Sequence, residues 1–268
     1  MKHFISIIFL VLSQLMGLNG KAQHLDTIVD ARPYQLHFRI LKGQKPPILF
    51  EAGGGQDASQ WDSIATVVHK RLGATVITYD RAGFGQSSLD TVGYTILQEI
   101  KSLESALRQL GYHNTKLLLV GHSLGAFYNW IYAARHPAQV KGIVWADPRL
   151  PSYADMRFAK TYFQGLNRKD YEAEYMSLYY LLARMERTSD FVRQVTLPAN
   201  IPLLDLMAEK GPSPDAEENE RFKADQRNLV KGHSNRRLVY LKGTSHNIPY
   251  DQPGVLIEQL VTFYLQHI

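Results

Sequence analysis

The chain has 268 residues, of which 45% are hydrophobic and 21% charged, a composition that excludes a disordered, fibrous or multi-span membrane protein. Its length suits one α/β domain with an insertion and requires no second independent domain. The net charge is +5, and its basic residues alternate with acidic ones, as over residues 217–236, so nucleic acid is not an expected partner.

Residues 1–22 have the pattern of a cleavable signal peptide. A basic start at Lys2 precedes an apolar run over residues 4–18, and the small residues Gly20 and Ala22 occupy positions −3 and −1 of a cut after Ala22. The run is shorter than the ~20 residues needed to cross a bilayer, which favours cleavage over a retained membrane anchor. With no cysteine, disulfides and a lipid anchor through cysteine are excluded. We therefore expect a periplasmic or secreted protein without a stable membrane anchor.

From residue 23 onward, short apolar runs alternate with amphipathic segments of helical length, the order expected of a mainly parallel sheet covered by helices. Most of the runs are rich in Val, Ile and Leu without alternation, as in strands buried on both faces. The predicted strands are residues 35–41, 47–52, 74–80, 116–121, 140–146, 201–208 and 238–241.

Three helices have clear boundaries in the sequence. Apolar residues at helical spacing predict a helix over residues 96–110, with Thr95 at its N-terminal cap. A second helix follows Ser123 and should end at His136, because Pro137 comes next. The last helix is predicted to begin near Pro253.

The segment 151–200 breaks this alternation, because it contains no clear strand. We interpret it as a helical cap inserted into a core formed by residues 23–150 and 201–268. An aromatic stripe in the segment could roof a substrate pocket or pack the insertion on the core, and one face can do both. The stripe has helical spacing and comprises Tyr171, Tyr175, Leu178, Tyr179 and Leu182.

Residues 121–125 read Gly-His-Ser-Leu-Gly and match the G-x-S-x-G pattern, after an apolar strand and before a helix. The two glycines permit a tight turn that lifts the Ser123 hydroxyl above the sheet, and the helix N-terminus adds partial positive charge. Ser123 is therefore the predicted nucleophile. His122 is too close to the serine backbone to reach the hydroxyl, and we interpret it as filling the flank of the turn.

A serine hydroxyl needs a general base, and His246 is the predicted one. It lies in the loop between the last predicted strand and the final helix, and a nucleophile followed by a late histidine is a known triad order. The oxyanion hole needs two donors, of which one is the backbone N–H of Leu124. The other should come from the glycine run after residue 52, where Gly54 is preferred and Gly55 is the alternative.

Taken together, these segments resemble the α/β-hydrolase superfamily over residues 35–268. The resemblance implies an eight-stranded sheet with a helical cap after strand six, where the segment 151–200 lies. It also implies a mainly structural role for residues 80–87, the turn after strand four. The matching segments are residues 51–55 with Trp61, 79–87, 121–125, 144–148, and His246 with 251–253.

The position of the triad acid departs from the commonest pattern of that superfamily. Many members carry an Asp after strand seven, whereas residues 209–212 contain none. Asp147, at the end of strand six, occupies a position that other members use, although Asp before Pro is also a common turn residue. Asp215 is the alternative, but it more naturally caps the acidic helix that follows. We prefer Asp147.

The sequence thus predicts hydrolysis of a small-molecule carboxylic ester, or less favourably an amide, through an acyl-enzyme on Ser123. No cofactor and no metal are implied, because no His or carboxylate pair has zinc-ligand spacing on a predicted element. Other members use an elbow aspartate for dehalogenase or epoxide-hydrolase chemistry, which the serine disfavours. Acyl transfer, C–C hydrolysis or peptide cleavage by the same triad, and a non-catalytic binding role, remain alternatives. The oligomeric state stays open.

Overall fold

The computed structural model describes residues 24–91 and 94–268, so the predicted signal peptide and its cleavage site lie outside the described residues. Strands and helices alternate along most of the described chain. In chain order the strands are β1 (His24–Ala31), β2 (Tyr34–Leu41), β3 (Lys45–Glu51), β4 (Ala74–Tyr79), β5 (Leu117–His122), β6 (Val140–Ala146), β7 (Leu203–Ala208) and β8 (Arg236–Leu241).

The eight strands form one sheet in the order β1-β2-β4-β3-β5-β6-β7-β8. β1 and β2 pair antiparallel, β2 is antiparallel to β4, and every pair from β4 through β3 to β8 is parallel. The predicted mainly parallel, eight-stranded sheet is therefore confirmed. β1 was not predicted, because it is an edge strand in which only Val29 and Ala31 are buried, so it lacks a continuous apolar run.

Helices cover both faces of the sheet. Successive residues of β5 alternate between the faces: Leu117 and Leu119 join one buried cluster, while Leu118 and Val120 join the other. Helices α2 (Ile96–Gln109) and α3 (Gly125–Arg135) pack on the first face, and α1 (Asp62–Leu72) and α9 (Pro253–His267) pack on the second. The helices are α1 (Asp62–Leu72), α2 (Ile96–Gln109), α3 (Gly125–Arg135), α4 (Tyr153–Phe163), α5 (Met176–Ala183), α6 (Met185–Arg193), α7 (Ala216–Val230), α8 (Ile248–Asp251) and α9 (Pro253–His267).

The chain between β6 and β7 forms α4, α5 and α6. It packs on the core through buried Leu181 and Val192, and the Trp130 indole on α3 donates to the Val195 carbonyl at 2.8 Å. The aromatic stripe is not one continuous helix. Tyr171 has extended backbone, and α5 begins only at Met176. The Tyr171 ring nevertheless meets that of Tyr179 at 5.3 Å, because the chain folds back on α5.

Candidate active site

The turn that carries Ser123 has the strained geometry predicted from its glycines. β5 ends at His122, α3 begins at Gly125, and Ser123 between them has φ of 52°, in the left-handed region that non-glycine residues rarely adopt. A Cβ added to Gly121 would lie 2.6 Å from the Asn129 Oδ1, and one added to Gly125 would lie 2.7 Å from the Glu51 carbonyl oxygen. Both glycines therefore allow the turn to sit close to its neighbours, and the serine hydroxyl stands above the end of the sheet.

Ser123, His246 and Asp147 come together at this end of the sheet, although they are far apart in the sequence. The His246 Nε2 lies 2.8 Å from the Ser123 Oγ, and its Nδ1 lies 2.6 Å from the Asp147 Oδ2. Because a carboxylate only accepts hydrogen bonds, the His246 Nδ1–H donates to Asp147, which leaves Nε2 free to accept the serine proton.

Asp147 is held rigidly by two further donors. Asp147 is fully buried and has a φ of 45°. Its Oδ1 accepts hydrogen bonds from the Ala208 N–H and from the Gln226 Nε2, both at 3.0 Å. The second carboxylate oxygen is therefore aimed at the His246 ring. A buried carboxylate with three donors is the arrangement that orients a catalytic imidazole.

The alternative acid Asp215, and Asp205 on the neighbouring strand, have different surroundings. Asp215 is exposed at the N-terminus of α7, where its side chain accepts from the N–H groups of Glu217 and Glu218. Asp205 is fully buried within β7, where burial first and the charge of Asp147 second raise its pKa well above the ordinary value. Only Asp147 of these three bonds the His246 ring.

The predicted oxyanion-hole residues are neighbours. A Cβ on Gly54 would lie 3.5 Å from the Leu124 Cδ2. Among the described residues, neither the Gly54 N–H nor the Leu124 N–H has a hydrogen-bond acceptor, whereas the Gly53 N–H donates to the Gln60 Oε1 at 2.8 Å. Gly55 has φ of 76° and lies beside the Leu178 side chain of α5. Gly54 thus keeps an open donor next to Leu124.

A fully buried arginine orients the glycine loop, a role that the sequence did not suggest. The Arg81 guanidinium donates to the Ala52 carbonyl at 2.5 Å and to the Gly53 carbonyl at 2.6 Å. In a trans peptide the C=O and N–H point in opposite directions. Because the Gly53 carbonyl faces Arg81, the Gly54 N–H of the same peptide group points away from it, to the side where its acceptor can enter.

Two carboxyl groups lie buried near this arginine. Desolvation raises the pKa of Glu51 to about 8, against the opposing charge of Arg81. Desolvation likewise raises the pKa of Glu99 to about 7, against a hydrogen bond from the Tyr128 hydroxyl at 2.7 Å and the charge of Arg81. The Tyr128 ring also lies 4.9 Å from the guanidinium carbon. Arg81 thus has the Tyr128 ring and two buried carboxyl groups as further neighbours, besides the loop carbonyls that it bonds.

An aromatic cavity of about 180 Å³ adjoins the site. The Phe222 ring lines it and packs edge-on against the His246 ring, with centroids 5.8 Å apart. Arg149 also lines it, and its backbone N–H donates to the Ser123 carbonyl at 3.0 Å. The remaining wall comes mainly from Phe158, Tyr162 and Phe163 of α4 and from the loop before α7. The chain between β6 and β7 thus contributes aromatic surface to a cavity whose other lining residues contact Ser123 and His246.

Comparison with known proteins finds relatives that share the sequence pattern and the fold of this chain. Residues 46–246 match the family model described as alpha/beta hydrolase fold. The "Uncharacterized protein YqjL" of Bacillus subtilis (strain 168) is 30% identical over 220 residues, covering 78% of this chain and 79% of that protein. A proline iminopeptidase of Lactobacillus delbrueckii subsp. bulgaricus is 29% identical over 67% of this chain and 65% of its own. The structure of a thermophilic esterase from Thermogutta terrifontis, at 17% identity, covers 92% of this chain and 100% of that one with a TM-score of 0.62, which shows the shared fold.

Proposed function

This chain is a hydrolase of the alpha/beta hydrolase family, and on that premise we propose that it cleaves a carboxylic ester through an acyl-enzyme formed on Ser123. The observation that carries the proposal is the hydrogen-bonded series from Ser123 through His246 to Asp147, at 2.8 and 2.6 Å. A weak serine nucleophile becomes effective when a base in hydrogen-bond contact removes its proton during attack.

The proposed reaction has two halves. Ser123 Oγ attacks the ester carbonyl while His246 Nε2 takes its proton, and Asp147 stabilises the imidazolium that forms. The N–H groups of Gly54 and Leu124 donate to the oxyanion of the tetrahedral intermediate. His246 then returns the proton to the leaving alcohol, which departs and leaves the acyl group on Ser123. Water, activated by the same histidine, hydrolyses this acyl-enzyme and restores the serine.

The experiment that tests the proposal combines a fluorophosphonate probe with a series of p-nitrophenyl esters of rising acyl length. We expect covalent labelling at Ser123 and release of p-nitrophenol. Amide cleavage is the second candidate, favoured by the similarity to a proline iminopeptidase, so the series includes prolyl p-nitroanilide. A purified protein that is neither labelled nor active on any of these substrates would contradict the proposal.

We predict that Leu178, rather than the exposed tyrosine of the stripe, helps to select acyl length. Leu178 Cδ1 lies 3.5 Å from where a Cβ on Gly55 would be, whereas Tyr175 is 53% exposed. Replacing Leu178 by Ala should shift preference towards longer esters, since one methylene in a pocket contributes about 1–3 kcal/mol to discrimination. The ratio of kcat/KM values along the ester series measures this shift.

The matched control for this substitution is Tyr175→Ala, which should leave the ratio unchanged. An equal loss on all esters in Leu178→Ala, together with a lower melting temperature, would instead assign Leu178 to packing alone.

We further propose export with cleavage after Ala22, supported by the charged start, the apolar run and the small residues before the cut. Within residues 24–91 and 94–268, no helix has the length and apolar character required to span a bilayer. N-terminal sequencing of the exported protein should begin at Gln23. Recovery of the full-length chain only from the membrane fraction would contradict the proposed cleavage.

A further inference from the structure

Three hydrogen bonds connect the glycine loop to the loop that carries His246. The Gly53 N–H donates to the Gln60 Oε1 at 2.8 Å, and the Gln60 Nε2 lies 2.9 Å from the His122 Nδ1. The His122 Nε2 lies 2.9 Å from the backbone carbonyl oxygen of His246. Gln60 and His122 are only 3% and 2% exposed, so water does not compete for these contacts.

The chemistry at the two ends of this series fixes every proton within it. The Gly53 N–H must donate, so Gln60 presents its oxygen there and its NH₂ to His122. The His246 carbonyl must accept, so the His122 Nε2 carries the hydrogen and its Nδ1 accepts from Gln60. His122 is consequently a neutral ring with one defined tautomer. Burial, followed by the neighbouring His246, lowers the pKa of His122 to about 3, which keeps that ring neutral at ordinary pH.

The peptide group between Ala52 and Gly53 is thereby bonded at both of its polar atoms. Arg81 holds its carbonyl, and Gln60 holds its N–H. The next peptide group has its carbonyl bonded to Arg81 and only the Gly54 N–H open. The position of this open donor relative to His246 thus depends on an unbroken series of side chains that passes through Gln60 and His122.

We propose that Gln60 and His122 are positioning residues. They hold the Gly54 N–H and the His246 imidazole in the relative position that lets both act on one substrate carbonyl group. The inference rests on the proposed function, because the relative position of the two groups affects the rate only if both act in the same reaction. The oxyanion donor and the base must be in place together at the transition state, and a misplacement of about 1 Å can cost about 10²-fold in rate. The tight packing of the glycine loop on His122 agrees with this role, since a Cβ on Gly53 would lie 2.6 Å from the His122 Nδ1.

The first test compares four variants by steady-state kinetics on p-nitrophenyl acetate, with melting temperatures as the measure of folding. His122→Phe and Gln60→Met fill similar space without the hydrogen bonds, and each should lower kcat by about tenfold to a hundredfold with little change in KM. His122→Gln can donate to the His246 carbonyl and accept from Gln60, so it should recover most of the lost kcat. The double variant Gln60→Met with His122→Phe should be no slower than the slower single variant, because either change breaks the same series.

Folded single variants with wild-type kcat, or a double variant whose losses multiply, would overturn the inference while leaving the proposed function intact. So would a His122→Gln variant that folds normally but is as slow as His122→Phe. A wild-type protein that is neither labelled at Ser123 nor active on any of the substrates would overturn both.

A second measurement does not depend on activity. In ¹⁵N spectra of the histidine-labelled full-length protein, His122 should show the neutral Nε2–H form without titration between pH 5 and 9, whereas an ordinary histidine titrates near a pKa of about 6.5. Assignment by comparison with His122→Gln identifies its signals. A titrating ring, or an Nδ1–H tautomer, would contradict the hydrogen-bond series itself.

Discussion

Replacement of Ser123 by alanine should abolish both fluorophosphonate labelling and ester hydrolysis while leaving the fold intact. In the proposed mechanism the side chain supplies the attacking oxygen, and its described hydrogen bond is the one to the His246 Nε2. Alanine also tolerates the backbone about as well as serine, since both are non-glycine residues at a φ of 52°. In a well-studied serine protease, loss of the nucleophile costs about 10⁶-fold in turnover and leaves a residual rate from the oxyanion hole.

The measurement is kcat on p-nitrophenyl acetate, with circular dichroism and melting temperature as checks of folding. Ser59→Ala is the matched control, because Ser59 is exposed in the turn before α1 and lies outside the hydrogen-bonded triad. It should label and hydrolyse like the wild type. Undiminished hydrolysis by Ser123→Ala would contradict the assignment of the nucleophile. A loss of activity in both variants would indicate inactive protein samples rather than the loss of the Ser123 hydroxyl.

The parts of the fold that could be predicted are those with continuous local signals. The buried parallel strands can be recognised in the sequence as apolar runs. The Thr95 cap predicted for α2 is present, since its side chain accepts from the Gln98 N–H at 3.2 Å. β1 was missed because its exposed face interrupts the run, and only pairing with β2 defines it. Tyr171 was wrongly placed on a helix because helical spacing alone does not reveal that the chain folds back to bring its ring to Tyr179.

The candidate site likewise contains residues that could be predicted from the sequence and residues that could not. Ser123 lies in a local motif and His246 in a recognisable loop, so both could be named from the sequence. The supports around them are pairs distant in sequence. His122 meets Gln60 across 62 residues, and Arg81 meets the Gly53 carbonyl across 28. The sequence interpretation of His122 as a filler of the turn was incomplete for this reason, since its two bonding partners, Gln60 and the His246 carbonyl, are distant in the sequence.

Asp147→Asn should lower turnover by several orders of magnitude, whereas Asp215→Asn should change it little. The Asp147 Oδ1 accepts from the Ala208 N–H and the Gln226 amide, so an asparagine at this position keeps its oxygen there and turns its NH₂ towards His246. The imidazole must then accept at Nδ1 and carry its hydrogen on Nε2. In that tautomer it cannot take the Ser123 proton. The equivalent substitution in a serine protease costs about 10⁴-fold in turnover.

The substitution should not unfold the protein, because asparagine is one of the few residues that readily adopts a φ of 45°, as found at Asp147. Asp215→Asn is the matched control: asparagine caps a helix about as well as aspartate, so the bonds to the N–H groups of Glu217 and Glu218 can persist. Both variants are compared by kcat on p-nitrophenyl acetate and by melting temperature. If Asp147→Asn kept near-normal turnover and Asp215→Asn lost it, the acid would belong after β7, and the contact between Asp147 and His246 would serve only to hold the loop. We expect the opposite, because two bonds fix the Asp147 Oδ1 and, among the described residues, its Oδ2 bonds only the His246 imidazole.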